Sequence, residues 1–326
     1  MPFSVADRVL ANFTMHEIIN AHSHLIDLEG MIQKYGNVSL PAGISVLEDL
    51  DATLNMLHPE VLIAQMDEAG ISQSVLYAVE APFVYASNEY VSKLCDRYPD
   101  RFIGFASVDP KAKDAPENLA HAVKNLGLKG LKLHPPLQHF FPDSEVIFPL
   151  YEKAAELNIP IVFHVGTTPF GWMCRLTNAN PILIDEVAVR FPTLRIMLAH
   201  LGTLWNNEAF MVVEKNPNVF IDTAAYLYEI PKILTPDIVT RIGPRKIIFG
   251  TDYPMPYADR PHRIKDFVEA IRSIGFPDAI EQRFFRDNFH QFLHGELNPI
   301  NAGPTLETLR RRFREMAPNI DNPAAR

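Results

Sequence analysis

Apolar runs alternate with segments of helical periodicity along most of the chain. The short apolar runs are rich in Val, Ile, Leu and Phe, which predicts buried strands. These strands are expected at residues 18–21, 71–79, 101–108, 128–133, 159–165, 194–199, 219–223 and 246–249. Between them, apolar residues recur every three or four positions, which predicts helices that bury one face. The helices are expected at residues 4–13, 58–68, 88–98, 117–126, 146–157, 181–191, 208–215, 236–242 and 262–274.

The order of these elements indicates the fold class. Strands that alternate with helices pair in parallel through right-handed crossovers. Eight such units predict an α/β protein with a closed (β/α)8 barrel, the TIM-barrel architecture, in which both faces of every strand are covered. We expect one barrel domain over residues 1–300 and a helical tail over residues 301–326.

Two segments depart from this alternation. Residues 25–57 form a long, irregular stretch after the first strand, and such a loop insertion beside a candidate site is typical of a lid or a substrate-binding segment. The final helix begins near Pro304 and carries an apolar stripe, for which packing on the barrel and a homodimer contact both remain open. The stripe consists of Leu306, Leu309, Phe313 and Met316.

Composition narrows the class of protein. The chain has 326 residues, 47% of them hydrophobic, and a net charge of -9, which argues against a general nucleic-acid binder. No run is long enough to span a membrane, and two cysteines, Cys95 and Cys174, fit a reducing compartment, so we expect a cytoplasmic protein. The expected partner is a small-molecule substrate. Any metal must be held by histidine and carboxylate, because two cysteines are too few for a cysteine-rich site.

Polar residues recur where the predicted strands end. The carboxyl ends of parallel barrel strands meet at one face, so we expect these side chains to lie close together. His22 and His24 share one side of the first strand because they are two positions apart. Imidazoles and a carboxylate are suitable ligands for a divalent ion such as Zn²⁺. The set is His22, His24, Lys132, His134, His164, His200 and Asp252.

Five motifs resemble the amidohydrolase superfamily, specifically the amidohydrolase-related branch that includes aminocarboxymuconate-semialdehyde decarboxylase-like enzymes and metal-dependent hydrolases. Together they extend from Ile18 to about Leu293. They are Asn20-Ala21-His22-Ser23-His24, Gly130-Leu131-Lys132-Leu133-His134-Pro135, Pro160-Ile161-Val162-Phe163-His164, Leu198-Ala199-His200-Leu201-Gly202 and Phe249-Gly250-Thr251-Asp252-Tyr253-Pro254.

The resemblance implies a metal centre. His22, His24 and His164 would ligate one divalent metal, usually zinc, and Asp252 would complete or abut its shell. His200 would lie outside this shell or bind a second metal. A site of this kind lowers the pKa of a bound water towards about 7. Asp252 could then accept a proton from that water, and His200 could orient the water or polarise the substrate.

Two roles remain open for the Lys132 side chain. In binuclear relatives a lysine of the fourth strand is carboxylated and bridges two metals, whereas a free ammonium would pair with a substrate carboxylate. The pattern Lys132-Leu133-His134-Pro135 favours the free ammonium and a single ion. We expect His134 and, in the loop after the fifth strand, Arg175 to contact the substrate as well.

Two reactions agree with this site. The first is hydrolysis of a C–O or C–N bond in a small carboxylated substrate by metal-activated water. The alternative is non-oxidative decarboxylation, or hydration, of an aromatic or muconate-like acid. Decarboxylases of the branch often carry a Pro-Trp-Asp-Met-like segment after the fifth-strand histidine, whereas this chain has Val165-Gly166-Thr167-Thr168-Pro169, which favours the hydrolase. A non-catalytic binding barrel is disfavoured, because buried ligand residues without a metal would be left unsatisfied.

Overall fold

A parallel β-barrel forms the centre of the molecule. The computed structural model describes residues 17–36, 50–82, 84–224, 226–254, 256–257, 260–261, 263–295 and 306–316, so the helix predicted at residues 4–13 lies outside the described residues. The predicted α/β barrel is confirmed, with each predicted strand present. The barrel strands are β1 (Ile18–Ser23), β2 (Ile71–Tyr77), β3 (Phe102–Phe105), β4 (Leu131–Leu133), β5 (Ile161–Phe163), β6 (Ile196–Leu198), β7 (Val219–Asp222) and β8 (Ile247–Ile248).

Two parallel sheets close into this barrel. One has the order β1-β2-β3 and the other the order β4-β5-β6-β7-β8. A parallel bridge between Ala106 and Leu131 joins β3 to β4, and a second bridge between Ser23 and Tyr253 joins the end of β1 to the segment after β8. The first and last strands of the barrel are therefore neighbours.

Helices follow the strands and cover the outside of the barrel. Those between β1 and β4 are α1 (Leu28–Tyr35), α2 (Leu50–Met56), α3 (Pro59–Ala69), α4 (Asn88–Arg97) and α5 (Ala115–Lys124). The middle of the chain holds α6 (Pro135–Gln138), α7 (Phe148–Glu156), α8 (Leu183–Arg190), α9 (Asn206–Lys215), α10 (Ile230–Ile233) and α11 (Pro236–Ile242). The last helices are α12 (Ile264–Ser273), α13 (Asp278–Gln282), α14 (Asn288–His294) and α15 (Leu306–Met316), and a small antiparallel hairpin pairs β9 (Pro256–Tyr257) with β10 (Arg260–Pro261). None of the described helices combines the length and the apolar character that crossing a membrane requires.

Buried strand residues divide into two apolar clusters at alternating positions. Ile18, Leu76 and Leu131 belong to the cluster that packs against the surrounding helices. Ile19, Val75, Phe105, Val162 and Met197 form the other cluster, which fills the barrel with Phe289 and Phe292 of α14. Because both faces of the strands are buried, the strands read as nearly continuous apolar runs in the sequence.

The segment after β1 is more regular than the sequence predicts. Helices α1 and α2 occupy its two described parts, so the prediction of an irregular loop is wrong there, and residues 37–49 lie outside the described residues. Asp27 caps α1 by accepting a hydrogen bond from the Gly30 amide at 2.9 Å. Most apolar side chains of these helices are exposed at least in part: Ile32 is 52% exposed and Leu50 is 50% exposed, whereas Met56 at the end of α2 is buried. Met56 is the only buried residue of the two helices, so they lack the buried apolar face by which the other helices are predicted.

The apolar stripe of α15 is exposed. Phe313 is 63% exposed and Met316 is 86% exposed, so the described barrel residues do not cover this face. Of the two alternatives for the stripe, packing on the described part of the barrel does not occur. The domain boundary predicted at residue 300 falls among residues 296–305, which lie outside the described residues.

Candidate metal centre

The predicted polar residues converge at the carboxyl ends of the barrel strands. His22 is 0% exposed, Lys132 1%, His200 3% and Asp252 8%, so the group is buried at the base of the barrel mouth. His200 and Asp252 adopt φ values of +65° and +58°, in the left-handed region that non-glycine residues rarely occupy. Such strained backbone positions persist where the surrounding contacts enforce them, which is common at functional sites.

Three ligand atoms form a compact triangle. His22 Nε2 lies 3.2 Å from His24 Nε2 and 3.2 Å from Asp252 Oδ1, and His24 Nε2 lies 3.3 Å from the same oxygen. Neighbouring ligands of a tetrahedral metal bound at about 2.0 Å are separated by about 3.3 Å. The donor set is therefore the right chemistry at the right spacing for a divalent cation. It unites three of the four predicted ligands.

His164 lies beside this triangle instead of within it. Its Nε2 lies 3.2 Å from the Thr167 carbonyl oxygen, which can only accept, so Nε2 carries the proton. His164 Nδ1 must then accept from His200 Nε2 at 3.0 Å. Both ring nitrogens of His164 are engaged, and the predicted ligand role of His164 would require one of these hydrogen bonds to break.

The same tautomer argument gives His200 a free lone pair. Because His200 Nε2 donates to His164, His200 Nδ1 is the acceptor nitrogen. This buried atom has no well-aligned hydrogen-bond partner among the described residues, although the Ala224 backbone raises the pKa of His200, and Nδ1 of His24 has none either. His200 Nδ1 lies 4.0 Å from Asp252 Oδ2. At this distance the two atoms face each other without a hydrogen bond, and His200 Nδ1 is a candidate ligand for a metal.

Lys132 and His134 also lie close to the triangle. Lys132 Nζ is 3.3 Å from His22 Nε2 and 4.8 Å from the centre of the Tyr77 ring. Burial lowers the pKa of Lys132 to about 8, while Asp222 and Asp252 act in the opposite direction. His134 stacks on His164 with ring centres 3.9 Å apart. The expected pairing of Lys132 with a substrate carboxylate stays a prediction.

Burial controls the protonation of the imidazoles. It lowers the pKa of His22, His134, His164 and His200 well below the usual value, and the positive charge of Lys132 adds to this effect. The pKa of His24 is also lowered by burial, although its hydrogen bond to Asp252 raises it. Neutral imidazoles are the form that binds metals.

A narrow cavity of about 100 Å³ opens above these residues. Its polar lining includes His24, Lys132, His134, His164 and Asp252. Its apolar lining consists of Ile26, Leu57, Val79, Val84, Pro169, Phe170 and Pro254. Arg175 is exposed and is not part of this lining, so its position gives no support to the predicted contact with the substrate. The cavity thus places one ammonium and one carboxylate under apolar walls.

Comparison with known proteins identifies the family. The family model described as amidohydrolase matches residues 19–294, which is most of the chain. The chain belongs to the amidohydrolase family. The predicted resemblance is therefore confirmed, and family membership together with the donor triangle supports an enzyme that uses a divalent metal.

Two curated relatives of this amidohydrolase are named decarboxylases. A 2-amino-3-carboxymuconate-6-semialdehyde decarboxylase of Dictyostelium discoideum is 23% identical over 286 residues, which cover 73% of this chain and 77% of the relative. A gamma-resorcylate decarboxylase of Rhodococcus jostii is 25% identical over 262 residues, which cover 60% of this chain and 77% of the relative. These names agree with the alternative reaction better than with hydrolysis.

A solved structure gives the same fold. The dihydroxybenzoic acid decarboxylase from Polaromonas sp., with bound manganese and the inhibitor 2-nitroresorcinol, matches with a TM-score of 0.66 and 18% identity over 86% of this chain and 97% of that chain. At this identity the match supports the barrel architecture. The metal there is manganese, so the predicted choice of zinc stays a prediction.

Sequence reasoning missed two residues of this amidohydrolase site. Asp222 ends β7 and lies 2.8 Å from His22 Nδ1, and burial raises the pKa of Asp222 to about 7 against the lowering effect of the His200 amide and Lys132. Tyr77 ends β2, and its ring lies edge-on to His22 with centres 4.7 Å apart. The signal for Asp222 is present in the sequence, because Val219-Phe220-Ile221-Asp222 has the same apolar run followed by a polar residue as the other strands.

Proposed function

We propose that this amidohydrolase is a metal-dependent, non-oxidative decarboxylase of an aromatic or muconate-like carboxylic acid. The observation that carries the proposal is the cavity, in which the Lys132 ammonium and the Asp252 carboxylate lie under apolar walls. An unsaturated ring or chain suits these walls, and its carboxylate suits Lys132. The names of the two curated relatives support the same reaction.

A divalent metal would be held by His22, His24 and Asp252, with Nδ1 of His200 as a further candidate ligand. When bound, such an ion attracts the substrate oxygens and stabilises negative charge on them. Zn²⁺ is the ion that the sequence favours, and Mn²⁺ is the ion in the Polaromonas structure. We propose one ion per chain, with Lys132 as a free ammonium.

The residues of the chain itself would handle the proton. In decarboxylation the bond between the carboxylate and the adjacent carbon breaks, its electron pair stays on that carbon, and the carbon takes up a proton as CO₂ leaves. Asp252 Oδ2 is the candidate proton carrier, because Oδ1 belongs to the donor triangle and Oδ2 faces His200 Nδ1 at 4.0 Å. Lys132 would hold the carboxylate before it leaves.

The segment 165–169 does not argue strongly for hydrolysis. Gly166 has a φ of +86°, and a side chain at this position would collide with the Thr203 carbonyl oxygen. The glycine therefore follows from the close approach of two backbone loops. The glycine at position 166 therefore reflects the local course of the backbone, and this one difference from the Pro-Trp-Asp-Met-like segment carries little information on the reaction.

Product analysis would test the proposal. Protein reconstituted separately with Zn²⁺ and Mn²⁺ is incubated with ortho-hydroxylated benzoic acids and muconate-like acids, and in parallel with lactones and amides of similar size. We expect CO₂ release from at least one acid, and loss of that activity in Asp252→Asn by a factor of about 100 or more. Hydrolysis of a lactone or amide without CO₂ release from any acid would overturn the proposal in favour of the hydrolase.

A further inference from the structure

We infer that Asp222 is a positioning residue of the metal centre, because its carboxylate fixes the tautomer of His22 and the backbone of His200. The inference rests on the proposed metal-dependent function. Asp222 is the last residue of β7 and is 0% exposed. It thus joins β7 to histidines from β1 and from the end of β6.

One oxygen of Asp222 is held by the backbone. Oδ1 accepts a hydrogen bond from the His200 amide at 2.7 Å and another from the Ala224 amide at 3.1 Å. Backbone N–H groups can only donate, so Oδ1 is fixed as an acceptor and the orientation of the carboxylate is set. The same contact holds His200 at its left-handed φ of +65°.

The other oxygen faces His22. Asp222 Oδ2 lies 2.8 Å from His22 Nδ1. On the far side of the ring, the Lys132 ammonium lies 3.3 Å from His22 Nε2 and can only donate. With Lys132 as an ammonium and Asp222 as a carboxylate, Nε2 carries the lone pair and Nδ1–H donates to Asp222. This tautomer presents to the triangle the nitrogen that can bind a metal.

A direct ligand role for Asp222 is the competing explanation. Asp222, His22 and His200 can place ligand atoms within 4.8 Å of one another. However, the two carboxylate oxygens already accept hydrogen bonds from three donors, and the nitrogen that His22 turns towards Asp222 is the protonated one. These contacts favour a role through His22 and His200.

The tautomer of His22 can be measured in the wild-type chain. We propose long-range ¹H–¹⁵N NMR of the metal-free protein at pH 7.5, with the His22 signals assigned by their loss in His22→Gln. The expected spectrum has the proton on Nδ1 and an unprotonated Nε2. A proton on Nε2 would overturn the inference, whatever the variants do.

The matched variant is Asp222→Asn. Its amide oxygen can still accept from the His200 and Ala224 amides, but its NH₂ group would donate to His22 Nδ1 and drive the proton onto Nε2. We expect the NMR signals to change accordingly and the affinity for Zn²⁺, measured by competition with a chelator, to fall about 10- to 100-fold. Asp185→Asn is the control, because Asp185 pairs with Lys215 and Asn216 on the outer helices, and it should keep wild-type affinity.

The outcomes separate the two proposals. A folded Asp222→Asn protein with unchanged Zn²⁺ affinity and an unchanged His22 tautomer would overturn the inference. Loss of Zn²⁺ affinity with an unchanged His22 tautomer would also overturn it, because Asp222 would then be a ligand. A wild-type chain that binds neither Zn²⁺ nor Mn²⁺ would contradict the proposed function, while the His22 spectrum would still decide the role of Asp222. If Asp222→Asn does not fold, the wild-type spectrum alone decides.

Discussion

Each imidazole of the site has its two nitrogens in different environments. His22 turns one nitrogen to Asp222 and the other to the triangle, and His200 turns one to His164 and leaves the other free. The sequence predicts which residues meet, since apolar runs place them at strand ends. It does not predict which nitrogen faces the cavity, because that depends on hydrogen bonds between residues far apart in the chain.

The charge of Lys132 should act on substrate binding and not on metal content. We predict that Lys132→Met keeps one metal per chain and lowers kcat/KM about 10- to 100-fold, the effect of losing one hydrogen bond between charged groups. Metal analysis and steady-state kinetics of the reconstituted variant would measure both. Two metals in the wild-type protein and fewer in the variant would instead indicate a carboxylated, bridging lysine.

Cys174 should react slowly at neutral pH. Burial raises its pKa to about 11, although the Thr168 hydroxyl lowers it. The thiolate is the reactive form, so below this pKa the alkylation rate should rise about tenfold per pH unit and level off only near pH 11. Peptide mass spectrometry after iodoacetamide treatment between pH 7 and 11, with N-acetylcysteine as the reference, would measure this. A plateau near pH 9 would contradict the prediction.

Among the helices and strands, the sequence predicts those that bury an apolar face. Strands and covering helices were found from the sequence because each has apolar residues on a buried face. Helices α1 and α2 were not predicted, because Met56 is their only buried residue and they lack a buried apolar face. The ligand role of His164 stays a prediction: the loop after β5 supplies the Thr167 carbonyl that contacts its ring, and no sequence pattern encodes that contact.

Arg195 connects the end of α14 to the base of the barrel through hydrogen bonds. It precedes β6, is 2% exposed, and donates to the Phe292, Leu293 and Gly295 carbonyls at the end of α14 and to Asn158. These carbonyls have no partner within the helix, and a cation there also suits the helix dipole. In (β/α)8 barrels, residues at the amino ends of the strands contribute to stability.

We predict that Arg195→Met lowers the free energy of unfolding by about 3–5 kcal/mol, because it leaves several buried carbonyls unpaired. Urea unfolding would measure the loss. Arg97→Met is the control, since Arg97 is 64% exposed and pairs with Glu60 at the surface, and it should cost at most about 1 kcal/mol. Equal effects of the two substitutions would show that the buried hydrogen bonds contribute little.

For the molecule as a whole, the exposed face of α15 points to self-association. Leu306, Leu309, Phe313 and Met316 are spaced by three, four and three positions, which is the seam of a helix that pairs with another helix. Exposed apolar patches of this kind mark interaction surfaces. The homodimer therefore stays our prediction for this chain.

We predict that the wild-type chain elutes with the mass of two chains in size-exclusion chromatography with light scattering, and that Leu309→Glu/Phe313→Glu elutes as one. Both side chains are exposed, so the thermal midpoint of the barrel should change little. Arg311→Glu changes the charge by the same amount on another face of the helix and should remain a dimer. A monomeric wild-type protein would contradict the predicted dimer interface.

The meeting of the first and last barrel strands also affects how the protein acquires its metal. His22 and His24 are made well before Asp252, which follows β8, and the pairing of Ser23 with Tyr253 brings them together. Contacts between such distant parts of a chain form late in folding. A growing chain therefore cannot form the donor triangle before β8 has been made, and the proposed ion could meet all three ligands only in the closed barrel.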